Sequence, residues 1–253
     1  MEWDDDGVVL SVRTIGETSV VLSLLTRDHG RHAGLVRGGV GRRARGVLQP
    51  GNRVACRWQG RLAEHLGAFG CELSAATAAA VLQNAAPLAA VVAACAVLDT
   101  ALPEREPLPE IYEALLGLLE AVEHDPAWPL AYVRWEVGLL ASLGFGLDLS
   151  ACALTGTTES LVFVSPRTGR AVSMEAGAPW QPRLLALPAF LVDPAAPAGP
   201  SDIAAGLALG SHFLGRCVYA EHGREMPAAR TRLPQVIARM LDPGSGAGAE
   251  RGE

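Results

Sequence analysis

The chain contains no lysine, so its 21 lysine-or-arginine positions are all arginines. A phosphate-binding G-x-x-x-x-G-K-[ST] loop is therefore impossible, because its lysine is the group that reaches the β- and γ-phosphates. Neither G-x-S-x-G nor H-E-x-x-H occurs, which removes two common hydrolase patterns. Cysteine is sparse: Cys56, Cys71, Cys95, Cys152 and Cys217 are odd in number, widely spaced and without a C-x-x-C pair. A disulfide framework does not fit, and small buried hydrophobes are expected. No apolar run reaches the ~20 residues of a membrane span. The Ala-rich stretch Leu88–Leu102 is closed by Pro103. The opening Met-Glu-Trp-Asp-Asp-Asp is acidic where a secretory signal is basic and then apolar, so a cytoplasmic chain that does not contact membrane is expected.

The 253 residues suit one large domain or two small ones. With 49% apolar and 19% charged residues the chain can bury a core. The net charge of −6 is unevenly spread. Between Arg13 and Arg61 stand ten arginines against two acids, Glu17 and Asp28. From residue 81 onward there are eleven arginines against nineteen acids, and the first 12 residues hold four acids and no base. A basic N-terminal region joined to an acidic remainder points to a polyanion contact at one end.

The pattern of the first 75 residues is that of strands. Val8–Arg13, Val20–Leu25, Arg31–Arg37, Arg53–Trp58 and Leu66–Leu73 are short runs separated by glycine and proline turns. In Arg53–Trp58 the alternation puts Val54, Cys56 and Trp58 on one side and Arg53, Ala55 and Arg57 on the other. Between the third and fourth strands, residues 38–46 are Gly/Arg-rich without periodicity and read as a loop. Five short strands with no helix between them predict a small closed or half-closed barrel. After Ser74 the period becomes helical, with helices predicted over Pro87–Leu102, Glu110–Val122, Pro129–Leu143, Asp202–His222 and Leu233–Leu241. The segment 148–177 is short-patterned, with one strand-like run at Leu161–Ser165. Residues 243–253 are Gly-rich and charged, and are expected to be a disordered tail.

No catalytic constellation emerges. The glycines of 38–46 lack the G-x-G-x-x-G order. His29 and His32 have no further metal ligands in sequence reach, and Glu110, Glu113, Glu120 and Glu123 are spaced as the wet face of a helix. The chemistry lies in the arginines. Arg53 and Arg57 share a strand face that Arg61 extends if the strand passes Gly60. Arg42, Arg43 and Arg45 sit on the preceding loop, and Arg31 and Arg37 flank the third strand. Such a surface follows a phosphate backbone, and guanidinium groups bond phosphate bidentately. Trp58 points away from Arg53 and Arg57, so backbone contact is better supported than base stacking.

Several segments, taken in order, carry a family likeness. They are Asp6-Gly7-Val8-Val9-Leu10 through Gly16-Glu17; Thr26-Arg27-Asp28-His29-Gly30; the Gly/Arg loop with Leu48-Gln49-Pro50; Arg134-Trp135-Glu136-Val137 through Leu140; Leu143-Gly144-Phe145-Gly146-Leu147-Asp148-Leu149; and Cys152-Ala153-Leu154-Thr155-Gly156. Over residues 1–241 the chain resembles the RecO family of bacterial DNA repair proteins. The resemblance implies an α+β fold. Its parts would be an OB-fold DNA-binding domain over 1–76 and an α-helical domain over 77–242, with a small zinc-finger-like insertion at 148–178. It implies a recombination mediator, not an enzyme, that binds single- and double-stranded DNA and anneals complementary strands. With RecR, such a protein helps load RecA onto strands coated by the single-strand DNA-binding protein. Zinc-binding relatives carry two C-x-x-C pairs, whereas the corresponding positions here are Cys152, Thr155, Ser173 and Ala176, so no metal and no cofactor is expected. An acidic, aromatic tail on the single-strand binding protein would need a cation beside an apolar groove. Arg134, Arg216, Arg230 and Arg232 are the candidates on the helical part. The alternative is a generic OB-fold RNA- or single-strand-binding protein, which leaves the segment around Leu143–Leu149 unexplained.

Overall fold

A computed structural model describes residues 1–62 and 64–242. The tail expected at 243–253 lies outside the described residues. The first part is a closed barrel of five strands: β1 (Glu2–Ile15), β2 (Ser19–Thr26), β3 (Gly30–Val36), β4 (Arg53–Gln59) and β5 (Ala68–Ala75). Their order around the barrel is β1-β2-β3-β5-β4. The helix α1 (Arg42–Val47) stands between β3 and β4. All pairings are antiparallel except the closure of β3 on β5, which is parallel and rests on the single pair Leu35↔Ala68.

β1 begins at Glu2, not at the expected Val8, because it serves two neighbours. Its first half, Glu2 to Val8, pairs with β4, and Gly7 to Ile15 pairs with β2, with an irregularity between Val9 and Ser11. A bulge there bends one strand around two sides of the barrel. The core is Val9, Val20, Leu22, Leu24, Leu48, Val54, Cys56, Trp58 and Phe69. Gly34 marks a close approach: a Cβ there would lie 2.4 Å from the Phe69 ring. Gly67, at φ +62°, turns the chain beneath Trp58, where a side chain would also meet the indole at 2.4 Å.

The loop expected at 38–46 is corrected in its second half, since Arg42–Val47 is helical. Its last carbonyls are capped by side chains. Asn52 Nδ2 donates to Gly46 O and Val47 O, both at 3.0 Å, and Gln49 Nε2 donates to Arg45 O at 2.6 Å. Ala44, Val47 and Leu48 pack on the barrel core. A six-residue helix is marginal alone, and these tertiary contacts supply what propensity lacks.

Three helices share a compact unit with the barrel: α2 (Thr77–Val81), α3 (Ala85–Ala101) and α4 (Pro109–His124). That unit comprises Met1–Asp125 with Pro227–Arg230. Its compactness thus joins helices to strands, whereas the division expected at 76/77 separates types of secondary structure. Small side chains bring α3 close: Ala86, Ala90, Ala93, Ala94 and Cys95 are buried. Ser23 on β2 donates to Asp99 on α3 at 2.6 Å. On α4 the buried set is Ile111, Tyr112, Leu115, Leu118, Leu119 and Val122, and the four glutamates of the wet face are exposed.

The second unit holds Pro126–Met226 and the chain from Thr231 onward. Its elements begin with α5 (Trp128–Ser142), followed by the strands β6 (Leu161–Val164) and β7 (Ala171–Ser173) and the helix α6 (Met174–Gly177). β8 (Leu185–Ala186) and α7 (Pro200–Phe213) follow. The last helix, α8 (Ala228–Leu241), begins in the first unit and ends in the second. The small sheet has the order β7-β6-β8. β7 and β8 escape a reading by period. β7 is buried on both faces and so does not alternate, and β8 has two residues. α7 continues through a π-helical turn at Leu214–Tyr219 and a 3-10 turn to His222, and Gly223 at φ +62° ends it. The whole run, Pro200–His222, has 23 residues and a mean hydropathy of 1.2 in its most apolar window, half of which is buried. This run is longer than the expected absence of a membrane-length segment allowed. Its apolarity follows from core packing through Ile203, Leu207, Leu209, Phe213, Leu214, Val218 and Tyr219.

Candidate nucleic-acid interface

β4 alternates as its residues require: Val54, Cys56 and Trp58 face the core, and Arg53, Arg57 and Gln59 face out. The register then gives each arginine a different neighbour. Arg57 lies directly across from Asp4 on β1. Its Nε and Nη2 donate to the two Asp4 oxygens at 2.7 and 3.1 Å, and Glu2 lies 3.5 Å away. The Asp4 carboxyl is held below the usual carboxylate range by these bonds. Arg53, at the other end of the strand, is exposed and near enough for its charge to act on the buried Tyr112 hydroxyl. Arg61 does not continue the row, because β4 ends at Gln59 and the chain bends.

Arg31 faces the helices. Its Nε donates to Leu102 O at 3.0 Å, and its guanidinium lies 3.9 Å from Asp99 and 3.4 Å from Glu104. Arg27, at the β2–β3 turn, pairs with Glu113 and covers the Tyr112 ring.

Of the other barrel arginines, Arg37 and Arg61 line one cavity and Arg42 and Arg43 another. Arg45 stands on the same short helix as the latter pair, and Arg13 is exposed on β1. Arg37, Arg42, Arg43, Arg45 and Arg61 are exposed, and among the described residues none of them makes an ion pair. Arg37 and Arg61 flank an open cavity of about 830 Å³ whose apolar wall includes Leu35 and Phe69. Arg42 and Arg43 stand over a second cavity of about 950 Å³ between α1 and β5. Both cavities lie beside the weakly paired β3–β5 seam. Trp58 is buried, as its parity requires, and Trp3 stacks on it at 5.7 Å and on His29 at 4.0 Å. His32 is 4% exposed among Trp3, Trp58 and Phe69, with neither ring nitrogen hydrogen-bonded. Burial, together with the charges of Arg105 and His29, brings its pKa down to about 4.

The four arginines singled out for a protein partner have separate fates. Arg134 donates to Pro194 O at 3.0 Å and Phe190 O at 3.3 Å and lies over the Phe190 ring. Arg216 donates to Pro166 O and Arg167 O. Arg230 has no exposed surface, which corrects its reading as a surface cation. Arg232 is exposed on α8.

Three of the four positions compared with zinc ligands converge on one sulfur. Cys152 is 2% exposed, and its Sγ accepts the Ser173 N–H at 3.3 Å. Burial pushes the thiol up. Hydrogen bonds from the Thr155 and Ser173 side chains and the Ser173 and Leu154 backbones outweigh this and bring it to about 6. A structural zinc takes four nitrogen or sulfur ligands. One thiol, two hydroxyls and the methyl of Ala176 do not supply them. All five cysteines are free, with Cys71 and Cys217 half-buried instead of fully buried.

A five-stranded barrel of this order, carrying cations on its loops, belongs to the OB-fold class of oligonucleotide- and oligosaccharide-binding modules. Residues 1–73 match the model for the N-terminal part of recombination protein O, and residues 82–226 match that for its C-terminal part. The DNA repair protein RecO of Rhodospirillum centenum is 55% identical over 235 residues, covering 92% of this chain and 93% of that protein. That of Rhodospirillum rubrum is 51% identical over 245 residues, covering 94% and 97%. That of Phenylobacterium zucineum is 48% identical over 233 residues, covering 92% and 96%. The chain belongs to the RecO family of DNA repair proteins.

Proposed function

We propose that this chain is a cytoplasmic, nucleoid-associated recombination mediator, not a catalyst. It binds single- and double-stranded DNA, anneals complementary strands and, with RecR, helps load RecA onto strands covered by the single-strand DNA-binding protein. The observation that carries the DNA reading is the set of five exposed arginines around the two cavities and α1, without ion pairs among the described residues: Arg37, Arg42, Arg43, Arg45 and Arg61. Arg13 on β1 is exposed without an ion pair among them as well. Arg53 adds charge at the far end of β4. Arg31 and Arg57 contribute less, because carboxylates already neutralise them. Annealing follows from electrostatics. Two strands repel as polyanions, and a basic rim that holds both by their phosphates lowers the repulsion while leaving the bases free to pair. No nucleotide hydrolysis is required. Segment 148–178 is a degenerate zinc-finger-like insertion in which hydrogen bonds to Cys152 take the place of metal bonds. Of the candidates for the acidic tail of the single-strand binding protein, Arg232 is exposed, while Arg134 and Arg216 have their guanidinium groups on carbonyls.

The test is fluorescence anisotropy of labelled single-stranded DNA over a salt series. Each phosphate contact on a single strand contributes about 0.7 to the log–log salt slope, so five contacts predict a slope near −3.5. Changing all five arginines to Ala should flatten the slope by most of that amount. An unchanged slope in a folded variant would place the DNA elsewhere and overturn the reading.

A further inference from the structure

The cavity between α1 and β5 is built differently from the rest of the basic rim. Its walls are mainly aliphatic, from Val36, Val47, Leu48 and Leu73, with no aromatic ring. Its charged lining is two cations, Arg42 and Arg43, against one exposed carboxylate, Glu72. Along β5 the inward-facing side chains step outward from Phe69, 5% exposed, through half-buried Cys71 to Leu73, 44% exposed. Leu73 thus has the parity of a core residue but stands uncovered in the groove. β5 pairs with β4 along its length, whereas on its other side β3 reaches only Ala68. Among the described residues no strand lies beside β5 from Phe69 to Ala75 on that side. A free strand edge beside an apolar trough is the arrangement that accepts an added strand. Arg42 and Arg43 line the same trough without ion pairs.

We propose that this groove docks an extended acidic segment of a partner protein. The segment adds as a strand to the free edge of β5. Alternate aliphatic side chains cover Leu73, and its carboxylates meet Arg42 and Arg43. The occupant is a peptide and not a nucleic-acid strand, because the unpaired edge of β5 offers backbone N–H and C=O groups in the spacing of another strand, and Leu73 offers an apolar contact to an alternating side chain. Peptide and DNA then share Arg42 and Arg43, so each weakens the other's binding. The proposal goes beyond the DNA-binding reading and stands on Leu73 and the strand edge, which that reading does not use.

The probe is a fluorescein-labelled heptapeptide alternating Asp with Leu and Val, titrated with the full chain by anisotropy. A second copy carries N-methyl groups at alternate residues, which blocks strand hydrogen bonds. The full chain should bind the first peptide at least tenfold more tightly than the second. Leu73→Asp should weaken binding of the first about tenfold or more, while single-stranded DNA weakens by no more than the about two- to threefold that one added carboxylate near Arg42 and Arg43 costs at low salt. Leu73 is partly exposed, so the variant should fold, which circular dichroism checks. The proposal is overturned if neither peptide binds, if the N-methylated copy binds equally well, or if Leu73→Asp leaves peptide binding unchanged. Equal loss of DNA and peptide binding in Leu73→Asp would make the groove a nucleic-acid site and overturn it as well. Loss of DNA binding in the five-arginine variant alone bears on the rim and not on the groove.

Discussion

Arg42, Arg43 and Arg45 in the first unit are exposed without an ion pair, whereas Arg134 and Arg216 in the second have their guanidinium groups on backbone carbonyls. The residue type is the same, and what differs is the backbone it meets. In the second unit, irregular segments around Phe190–Pro194 and Pro166–Arg167 leave carbonyls that no ladder satisfies, and a forked cation satisfies two at once. In the barrel, the caps on α1 come from Asn52 and Gln49, so Arg42, Arg43 and Arg45 are not drawn onto its carbonyls and stay exposed to solvent. Arg31 and Arg105 of the same unit do bond carbonyls, those of Leu102 and His65. Each unit therefore holds some arginines and leaves others open. Arg31, Arg57, Arg134 and Arg216 are engaged by the fold. Arg37, Arg42, Arg43, Arg45 and Arg61 on the barrel, and Arg167, Arg183, Arg232 and Arg239 in the second unit, are exposed without an ion pair among the described residues. What sets the barrel apart is that its open arginines face few acids.

The largest expected effect tests that contrast directly. Replacing Arg37, Arg42, Arg43, Arg45 and Arg61 together by Ala should weaken single-stranded DNA binding about 100-fold or more at low salt. Arg134→Ala with Arg216→Ala should change it less than about twofold. The double variant should instead lose stability, by about 1–2 kcal/mol for each guanidinium removed, read as a fall in the urea midpoint. If the two variants lose DNA affinity equally, the contrast fails.

Much of the barrel was legible because period-2 alternation is a local signal. Val54, Cys56 and Trp58 against Arg53 and Arg57 is a pattern contained in six residues. The fate of Arg57 was not legible, because its partner Asp4 lies 53 positions away and is chosen by strand register. The burial of Arg230 escaped for the same kind of reason, since nothing in Ala-Ala-Arg-Thr-Arg says which arginine turns inward. α1 was hidden because its capping groups, Gln49 and Asn52, lie beyond its own end. The fold was thus more readable than the site. Strands announce themselves by neighbours in sequence, but the charge state of a surface depends on neighbours in space.

Two further measurements concern polar groups buried in each unit. His32 sits unpartnered among aromatic rings, so His32→Leu should raise stability by about 1–2 kcal/mol at neutral pH. The sign with pH follows from its lowered pKa. The unfolded imidazole takes a proton near 6.5 and the folded one only near 4, so stability falls as pH drops through that window. The variant should lose this part of the acid sensitivity, visible as a flatter Tm profile between pH 6.5 and 4. Cys152 is the counterpart in the second unit. Its thiol titrates near 6 when folded and near 9 when unfolded, so its contribution is full above pH 9 and is lost as pH falls toward 6. Cys152→Ala should remove that slope and cost about 1–2 kcal/mol at pH 9 by leaving its donors unpaired. An unchanged slope would show that the hydrogen bonds to sulfur do not hold a thiolate.

The smallest effect is the sharpest probe of the opening contrast, because it stays within one strand pair. Arg57→Ala should leave DNA affinity within about twofold, since the carboxylates of Asp4 and Glu2 at 2.7 and 3.5 Å already offset the charge that this guanidinium presents to DNA. Asp4→Asn should do the opposite. It removes one unit of negative charge and leaves Arg57 facing only Glu2, so DNA should bind about two- to threefold more tightly at low salt. The gain should vanish as salt rises, because a freed surface cation is screened within about 10 Å at 0.1 M. In Asp4→Asn with Arg57→Ala the gain should shrink, because the cation that was freed is gone. Should Arg57→Ala by itself weaken binding as much as Arg42→Ala, a cation held by Asp4 would still be serving DNA, and pairing would no longer explain which arginines are available.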